Sequence, residues 1–396
     1  MQPVITSVNV IPFNYYRENI GKMESGFNLI YEPDTEAKVT AFFIEIETNV
    51  GICGEYVSWV VGPPGYSQIE MVKRYLVGKN PLRREKHWSE IKRGLRKYDR
   101  MGLGPIDIAL WDFAGKYYEA SIAEMLGLYR TKLPTYASTY FGDDAGGLDS
   151  PEAFADFAEE CYDIGYQAFK IHGWGGSPAG RDIDRLVDTI HAVGERVGTK
   201  MDIMLDPSNE YETWADALKM GRACDEFGYF WLEDPYKDGG YSMHGHRRLS
   251  DYIDTPLLMG EYVRSLENRT DFMASESTDF VRADPDYDGG ITGAMKTAHA
   301  AEGLGLDVEF HPSGPAQRHC VAATRNTNYY ENAVVHPIAP HPYPHEIHLD
   351  NYDERLDAID ENGCVPVPAG PGLGVEYDRD YIIDNQVSAE DFGDIH

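Results

Sequence analysis

Cysteine is scarce in this chain of 396 residues, and the five present (Cys53, Cys161, Cys224, Cys320, Cys364) stand apart with no Cys-x-x-Cys pair. An odd number of scattered thiols excludes a disulfide framework and a cysteine zinc site, and fits buried small hydrophobes in a reducing, cytoplasmic compartment. No run of 18 uncharged apolar residues occurs, and the start MQPVITSVNVIPF lacks the basic region and apolar core of a secretory signal. No membrane segment is therefore expected. Cations are the second deficit: 35 Lys and Arg stand against 66 Asp and Glu, a formal charge of -31. A shell this acidic repels nucleic acid and anionic lipid, which removes both as default partners. The acids are spread along the chain and 42% of residues are hydrophobic, so disorder is excluded and adaptation to a high-salt cytoplasm is the expectation. A Gly-x-Ser-x-Gly nucleophile elbow is also absent.

What is present is a change of pattern along the chain. Residues 5–13 (ITSVNVIPF) alternate as a half-buried strand does, and two more strands follow at 38–48 and 51–58. Between the first two, the polar, aromatic stretch 14–34 is too long for a simple connection and predicts a binding loop or lid, with Tyr15, Tyr16 and Arg17 available to a polyhydroxylated ligand. Helices are expected near 67–76, 85–94 and 105–118, completing an α+β unit over residues 1–132. From Leu133 short apolar runs alternate with amphipathic helices at 151–164, 182–197, 214–227, 245–252, 266–274, 291–304 and 315–324, with Ser150 as the N-cap of the first. Strands alternating with helices imply a parallel sheet, and eight such units imply a closed barrel over residues 133–362. The Gly- and Pro-rich tail 363–396 is expected to return to the first domain or to be loosely held.

Ionisable residues close these apolar runs: Lys170 and His172, then Asp206, Glu233, Glu261, Asp284, His311 and Glu331, the last six at steps of 20 to 28 residues. One polar residue at the same end of each parallel strand would gather all of them at one barrel mouth. Asp206, Glu233 and Glu261 offer three carboxylates and no thiol, a donor set that suits Mg2+ or Mn2+. Asp284 and His311 lie on adjacent predicted strands, where a carboxylate orients an imidazole and fixes its tautomer for acid-base work. Lys170 and His172, one residue apart on one strand, face the same way and could hold a substrate carboxylate or take a proton. Each of these acids could instead be an N-cap or surface charge, as most are in so acidic a chain. The Gly-rich stretch 173–180 reads as an active-site loop, not a phosphate cradle, for want of the P-loop Lys and Ser/Thr. The histidines of 244–248 and 336–348 sit among prolines and turns unsuited to metal ligation.

At these residues the sequence resembles the enolase superfamily, in its mandelate racemase/muconate lactonizing enzyme branch. Residues 106–116 (IDIALWDFAGK), 231–235 (WLEDP) and 289–311 (GGITGAMKTAHAAEGLGLDVEFH) carry the likeness, which spans nearly the whole chain. The resemblance implies an α/β fold: a modified TIM barrel, (β/α)7β, with an N-terminal α+β capping domain and a C-terminal segment returning to the cap. It implies Asp206, Glu233 and Glu261 as Mg2+ ligands, Asp284 and His311 as the Asp-His dyad, and Glu331 as the acid that hydrogen-bonds the substrate carboxylate. It also implies removal of the proton α to a carboxylate, with a homo-oligomer, dimer or octamer, as the assembly. One departure stands out: the subgroup's Lys-x-Lys reads Lys170-Ile171-His172 here, so His172 takes the place of one base. Two-sided racemisation needs matched bases, so dehydration of a sugar acid is the favoured expectation, with racemisation or epimerisation as the alternative. A barrel that binds a carboxylate without turning it over is the third, opposed by the intact dyad.

Overall fold

A computed structural model describes residues 2–22, 28–174, 182–236, 241–350 and 352–393. The chain opens with a long antiparallel hairpin, β1 (Ile5–Lys22) and β2 (Leu29–Thr48), and β3 (Gly54–Ser58) adds to β2. Helices α1 (Gly62–Val72), α2 (Arg84–Gly94), α3 (Leu103–Tyr118) and α4 (Ile122–Leu126) complete the cap. The expected loop at 14–34 is thus strand apart from Asn28, a bend, wherever it is described; residues 23–27 lie outside the described residues. From Tyr15 its residues follow the period of two that a strand imposes: Tyr15 and Arg17 are buried, Tyr16 and Glu18 exposed.

Eight parallel strands follow: β4 (Lys132–Thr139), β5 (Ala168–Ile171), β6 (Asp202–Leu205), β7 (Trp231–Glu233), β8 (Leu257–Met259), β9 (Phe280–Ala283), β10 (Asp307–Phe310) and β11 (Tyr330–Val335). Each pair of successive strands encloses one helix: α5 (Pro151–Ile164), α6 (Ile183–Val197), α7 (Trp214–Phe227), α8 (Met243–Ser250), α9 (Leu266–Ala274), α10 (Gly290–Leu304) and α11 (Pro315–Ala323). This is a (β/α)7β arrangement. The strands pair in sequence order, and β11 pairs with β4 to bring the sheet round on itself. Side chains tie the β10–β11 seam: Asn328 Nδ2 donates to Glu309 at 2.8 Å, and Ser313 Oγ to the Glu331 carbonyl at 3.0 Å.

Local chemistry starts and stops the helices where the sequence indicated. Ser150 caps α5 by accepting from Ala153 N at 3.2 Å with Pro151 behind it, and Thr213 caps α7 in the same way. Gly228 ends α7 in the left-handed region at φ 64°, where a Cβ would be strained.

Alternation along each strand sorts the barrel. Phe169, Ile171, Ile203, Leu205 and Leu232 point out against the helices, whereas Tyr136, Ala168, Met204, Trp231 and Leu258 pack together inside. Phe230, Phe280 and Tyr329 close this interior plug. It leaves only the C-terminal ends of the strands for polar residues. The tail returns to the cap: β12 (Cys364–Pro366) pairs antiparallel with β4, Leu373 N donates to Asp112 of α3 at 2.9 Å, and Phe13 bridges to Gln386 beside α12 (Arg379–Asp384). All five cysteines are free thiols, four of them buried.

Candidate active site

Period-two alternation carries the interior face of each strand up to a polar residue: Ala168 to Lys170, Met204 to Asp206, Trp231 to Glu233, Arg282 to Asp284, and Glu309 to His311. The barrel brings together all eight residues singled out in the sequence. Oxygen atoms of Asp206, Glu233 and Glu261 lie within 4.8 Å of one another, the one such group of potential metal ligands among the described residues. Glu331 departs from expectation in depth. It is the second residue of β11, in register with Tyr136 of β4, and so sits inside the barrel and not at a strand end.

Lys170 is enclosed. Its Nζ lies 3.1 Å from Asp206, 3.0 Å from Glu233 and 2.9 Å from Glu331, and its side chain is 1% exposed. Burial opposes its charge, but the Glu233 and Glu331 carboxylates outweigh that and hold the amine well above its ordinary pKa. Glu331 is correspondingly held well below the carboxylate range: burial works against its charge, and Lys170 and Arg282 overcome it. His172 is also engaged. Its Nδ1 donates to the Thr139 carbonyl at 2.5 Å, its Nε2 faces Asp206 Oδ2 at 3.2 Å, and its ring lies against Phe141.

His311 presents the opposite situation. Nδ1 donates to Asp284 Oδ2 at 2.7 Å, which leaves Nε2 turned toward the mouth, 3.7 Å from Glu261 on a side chain 15% exposed. Burial lowers its pKa, yet the Glu261 charge and the Asp284 hydrogen bond outweigh it and raise it to about 9. Asp284 is itself fixed, its Oδ1 accepting from Asp286 N at 2.6 Å and Tyr287 N at 3.2 Å. The Tyr287 ring stacks on His311 and carries Arg264 on its other side.

Several contributors went unnoticed in the sequence. Arg282 is fully buried and grips Glu233 with two hydrogen bonds of 2.8 Å, while its Nη2 reaches Tyr136 OH at 3.0 Å and Glu331 at 3.3 Å. A lone Arg two residues before Asp284, on the same strand face, was the available signal. Arg269, buried on α9, donates to the Gly260 carbonyl beside Glu261 and pairs with Asp288, which accepts from Asp284 N at 2.7 Å. Asp286 accepts from Tyr56 at 2.6 Å and Ser58 at 2.7 Å, tying the cap to the turn that carries Asp284. Asp234 is buried beside the metal-ligand candidates with both carboxylate oxygens lacking a hydrogen-bond partner among the described residues. Burial and the Glu261, Glu233 and Asp206 charges push its pKa well up.

The stretch expected to meet a ligand approaches the barrel mouth only at its far end. Tyr15 OH donates to the Pro342 carbonyl at 2.9 Å, and Arg17 donates to the His341 and Tyr343 carbonyls and bidentately to Glu346. Both therefore fasten β1 to the segment after β11 and are turned from the barrel interior. Tyr31 of β2, by contrast, stacks on His336 just beyond β11, at the mouth. Of the Gly-rich stretch 173–180, residues 175–180 lie outside the described residues; Trp174 is buried and donates to Thr189.

The donor set fits a hard divalent cation. Asp206, Glu233 and Glu331 converge on Lys170 and Arg282, Glu261 lies within 4.8 Å of Asp206 and Glu233, and among the described residues the buried Asp234 oxygens have no hydrogen-bond donor. Carboxylates so disposed repel unless positive charge joins them, and all-oxygen ligation is what Mg2+ prefers.

Comparison with known proteins agrees with this architecture. Residues 153–381 match the family model described as enolase C-terminal domain-like, and residues 32–127 the mandelate racemase/muconate lactonizing enzyme N-terminal domain. The chain is 25% identical to D-gluconate dehydratase of Thermoproteus tenax, over 91% of this chain and 73% of that one. It is 29% identical to D-galactarolactone cycloisomerase of Agrobacterium fabrum, over 85% and 89%. Among solved structures, D-glucarate dehydratase from Agrobacterium tumefaciens complexed with magnesium superposes with a TM-score of 0.86 at 29% identity, covering 98% of this chain and 100% of that one. With a two-domain match and a barrel mouth of this composition, the chain belongs to the mandelate racemase/muconate lactonizing enzyme family of the enolase superfamily.

Proposed function

We propose that this protein dehydrates a sugar acid, removing the proton α to its carboxylate and expelling the β-hydroxyl to give a 2-keto-3-deoxy acid. The observation that carries this reading is the asymmetry of the mouth: one free imidazole nitrogen on the Asp284–His311 side, against a Lys170 and a His172 already engaged on the other. Asp206, Glu233 and Glu261 would hold Mg2+ (or Mn2+), which supplies positive charge against the carboxylate as negative charge develops on it.

Glu261 and Asp284 together favour the charged imidazole, and a divalent cation held by Glu261 would offset the first of them, leaving a neutral ring. In that form His311 Nε2 takes the α proton, and the Cα–H electron pair passes toward the carboxylate. Asp284 keeps the Nδ1 proton in place, so the imidazolium that forms is paired. The same His311 then returns its proton to the β-hydroxyl; the C–O bond breaks, water leaves, and the enol tautomerises to the keto acid. Lys170 acts as fixed positive charge near the bound carboxylate, and Glu331 holds Lys170 in place. The superfamily's use of a Lys or His base with Mg2+ is a general pattern that this reading follows. Tyr31 and its neighbours at the hairpin end, together with residues 57–66, supply specificity. Incubation of the enzyme and Mg2+ with a library of aldonates and aldarates, assayed for 2-keto acid, tests this function. Turnover without keto product, accompanied by solvent deuterium at Cα, would overturn dehydration.

A second reading has its own support in the 29% identity to a cycloisomerase: the same proton transfer, used to move a double bond or invert a centre without net loss of water. An isomerised or epimerised product in the same incubations would select it.

A further inference from the structure

Charge in this chain is unevenly placed. Residues 73–100 hold 11 of its 35 Lys and Arg but only 3 of its 66 Asp and Glu, in a molecule of net charge -31. The local acids are largely spoken for: Glu85 pairs with Lys296 at 2.9 Å, and Asp99 accepts from Gln68 at 2.9 Å. Within this basic stretch the turn before α2 and the first residues of β1 enclose a cavity of about 510 Å³, lined by Lys79, Asn80, Arg83, Lys86, His87 and Glu90 among others. Lys79, Arg83 and Lys86 make no ion pair with an acid among the described residues. Where acids outnumber bases nearly two to one, three cations around one cavity whose lining holds a single acid, Glu90, is the anomaly that calls for an occupant.

The wall is built, not fluid. Ile5 N donates to the Lys79 carbonyl at 2.8 Å and Gly78 N to the Ile5 carbonyl at 2.9 Å, which stitches the turn to β1. Asn80 Oδ1 accepts from Leu82 N at 2.9 Å, and the Asn80 carbonyl accepts from the buried His87 ring at 2.8 Å. Lys79 is held over the Tyr75 ring, its Nζ 4.6 Å from the centroid. Lys79 is thus preorganised, which lowers the entropy it spends on binding an anion, while Arg83 and Lys86 are exposed at the rim. The cavity lies at the start of β1, whereas the opposite end of the same hairpin, at Tyr31, reaches the barrel mouth.

We propose that this cavity is a second ligand site, separate from the barrel mouth, for a small polyanion: a phosphate ester or a polycarboxylate held by Lys79, Arg83 and Lys86. Its volume of about 510 Å³, open to solvent on one side, suits a metabolite, and the acidic remainder of the surface turns away nucleic acid. The test is calorimetric titration of the full Mg2+-loaded chain with glycerol 2-phosphate in one arm and tricarballylate in the other, at low salt. Saturation at one site per chain in either arm, weakened at least about tenfold in R83E/K86E and again in the exposed-residue variant K86A, is expected. The arm that saturates identifies the anion class. Turnover of the barrel substrate should be unchanged in both variants. No saturable heat in either arm, or saturation that survives R83E/K86E, would overturn the proposal.

Discussion

The two sides of the barrel mouth carry the same kinds of groups in opposite states. On the β5 side, Lys170 is enclosed by three carboxylates and His172 is held between Thr139 and Asp206. On the β9–β10 side, His311 is anchored at one nitrogen only and is the more exposed residue. An amine locked among carboxylates is a charge, not a base: its proton is held by the same contacts that hold the side chain. An imidazole fixed at Nδ1, once a cation at Glu261 offsets the charge facing Nε2, is a proton acceptor with a defined direction. On the proposed reading, the difference gives electrostatics to one side of the site and proton transfer to the other.

The sharpest way to break that comparison is to remove each imidazole in turn. His311→Asn should lower kcat about 10²–10⁴-fold, the usual worth of a general acid-base group, and His172→Asn by much less. Equal losses would erase the distinction. The electrostatic side is tested at its counter-charge: Arg282→Met leaves buried Glu233 and Glu331 under-neutralised and should destabilise the fold by about 3–5 kcal/mol in urea unfolding, with Arg282→Lys partly restoring it. An unchanged midpoint would show that Arg282 does not hold the carboxylates.

A group outside the mouth separates global stability from site effects. His319 of α11 accepts from Ala123 N of α4 at 3.2 Å and donates to the Leu373 carbonyl at 2.9 Å, joining barrel, cap and tail in a neutral form. Burial lowers its pKa to about 4 from 6.5. Its contribution is therefore complete above pH 6.5, where the unfolded side chain is also neutral, and is lost as pH falls from 6.5 toward 4, by up to about 3 kcal/mol. His319→Gln should flatten the acid limb of the stability profile without altering the contrast between His311 and His172. Divalent cation supplies the smallest effect: Mg2+ at about 100 times its Kd should add about 2.7 kcal/mol to unfolding, and Glu261→Gln should abolish most of that shift.

Much of this was legible in the chain because the barrel repeats one device, an apolar alternation ending in a charge. Asp206, Glu233, Glu261, Asp284 and His311 could be read from that device, and the N-cap Ser150 from its place ahead of a periodic helix. Arg282 was hidden because it precedes the end of its strand, where an apolar residue is the default. Glu331 was placed too high because its strand starts only one residue before it, a boundary that sequence pattern sets loosely. The hairpin was mistaken for a loop because its polar residues are satisfied by partners more than 320 positions away, as Arg17 is by Glu346. No local pattern records a contact of that separation.

The claim that proton transfer belongs to one side of the mouth is tested most directly in D2O with Mg2+ and each of the two Cα epimers of a turned-over sugar acid, following recovered substrate and product by NMR. One-sided chemistry predicts that a single epimer is consumed to 2-keto-3-deoxy acid and that recovered substrate keeps its configuration. Deuterium at an inverted Cα in recovered substrate would contradict it.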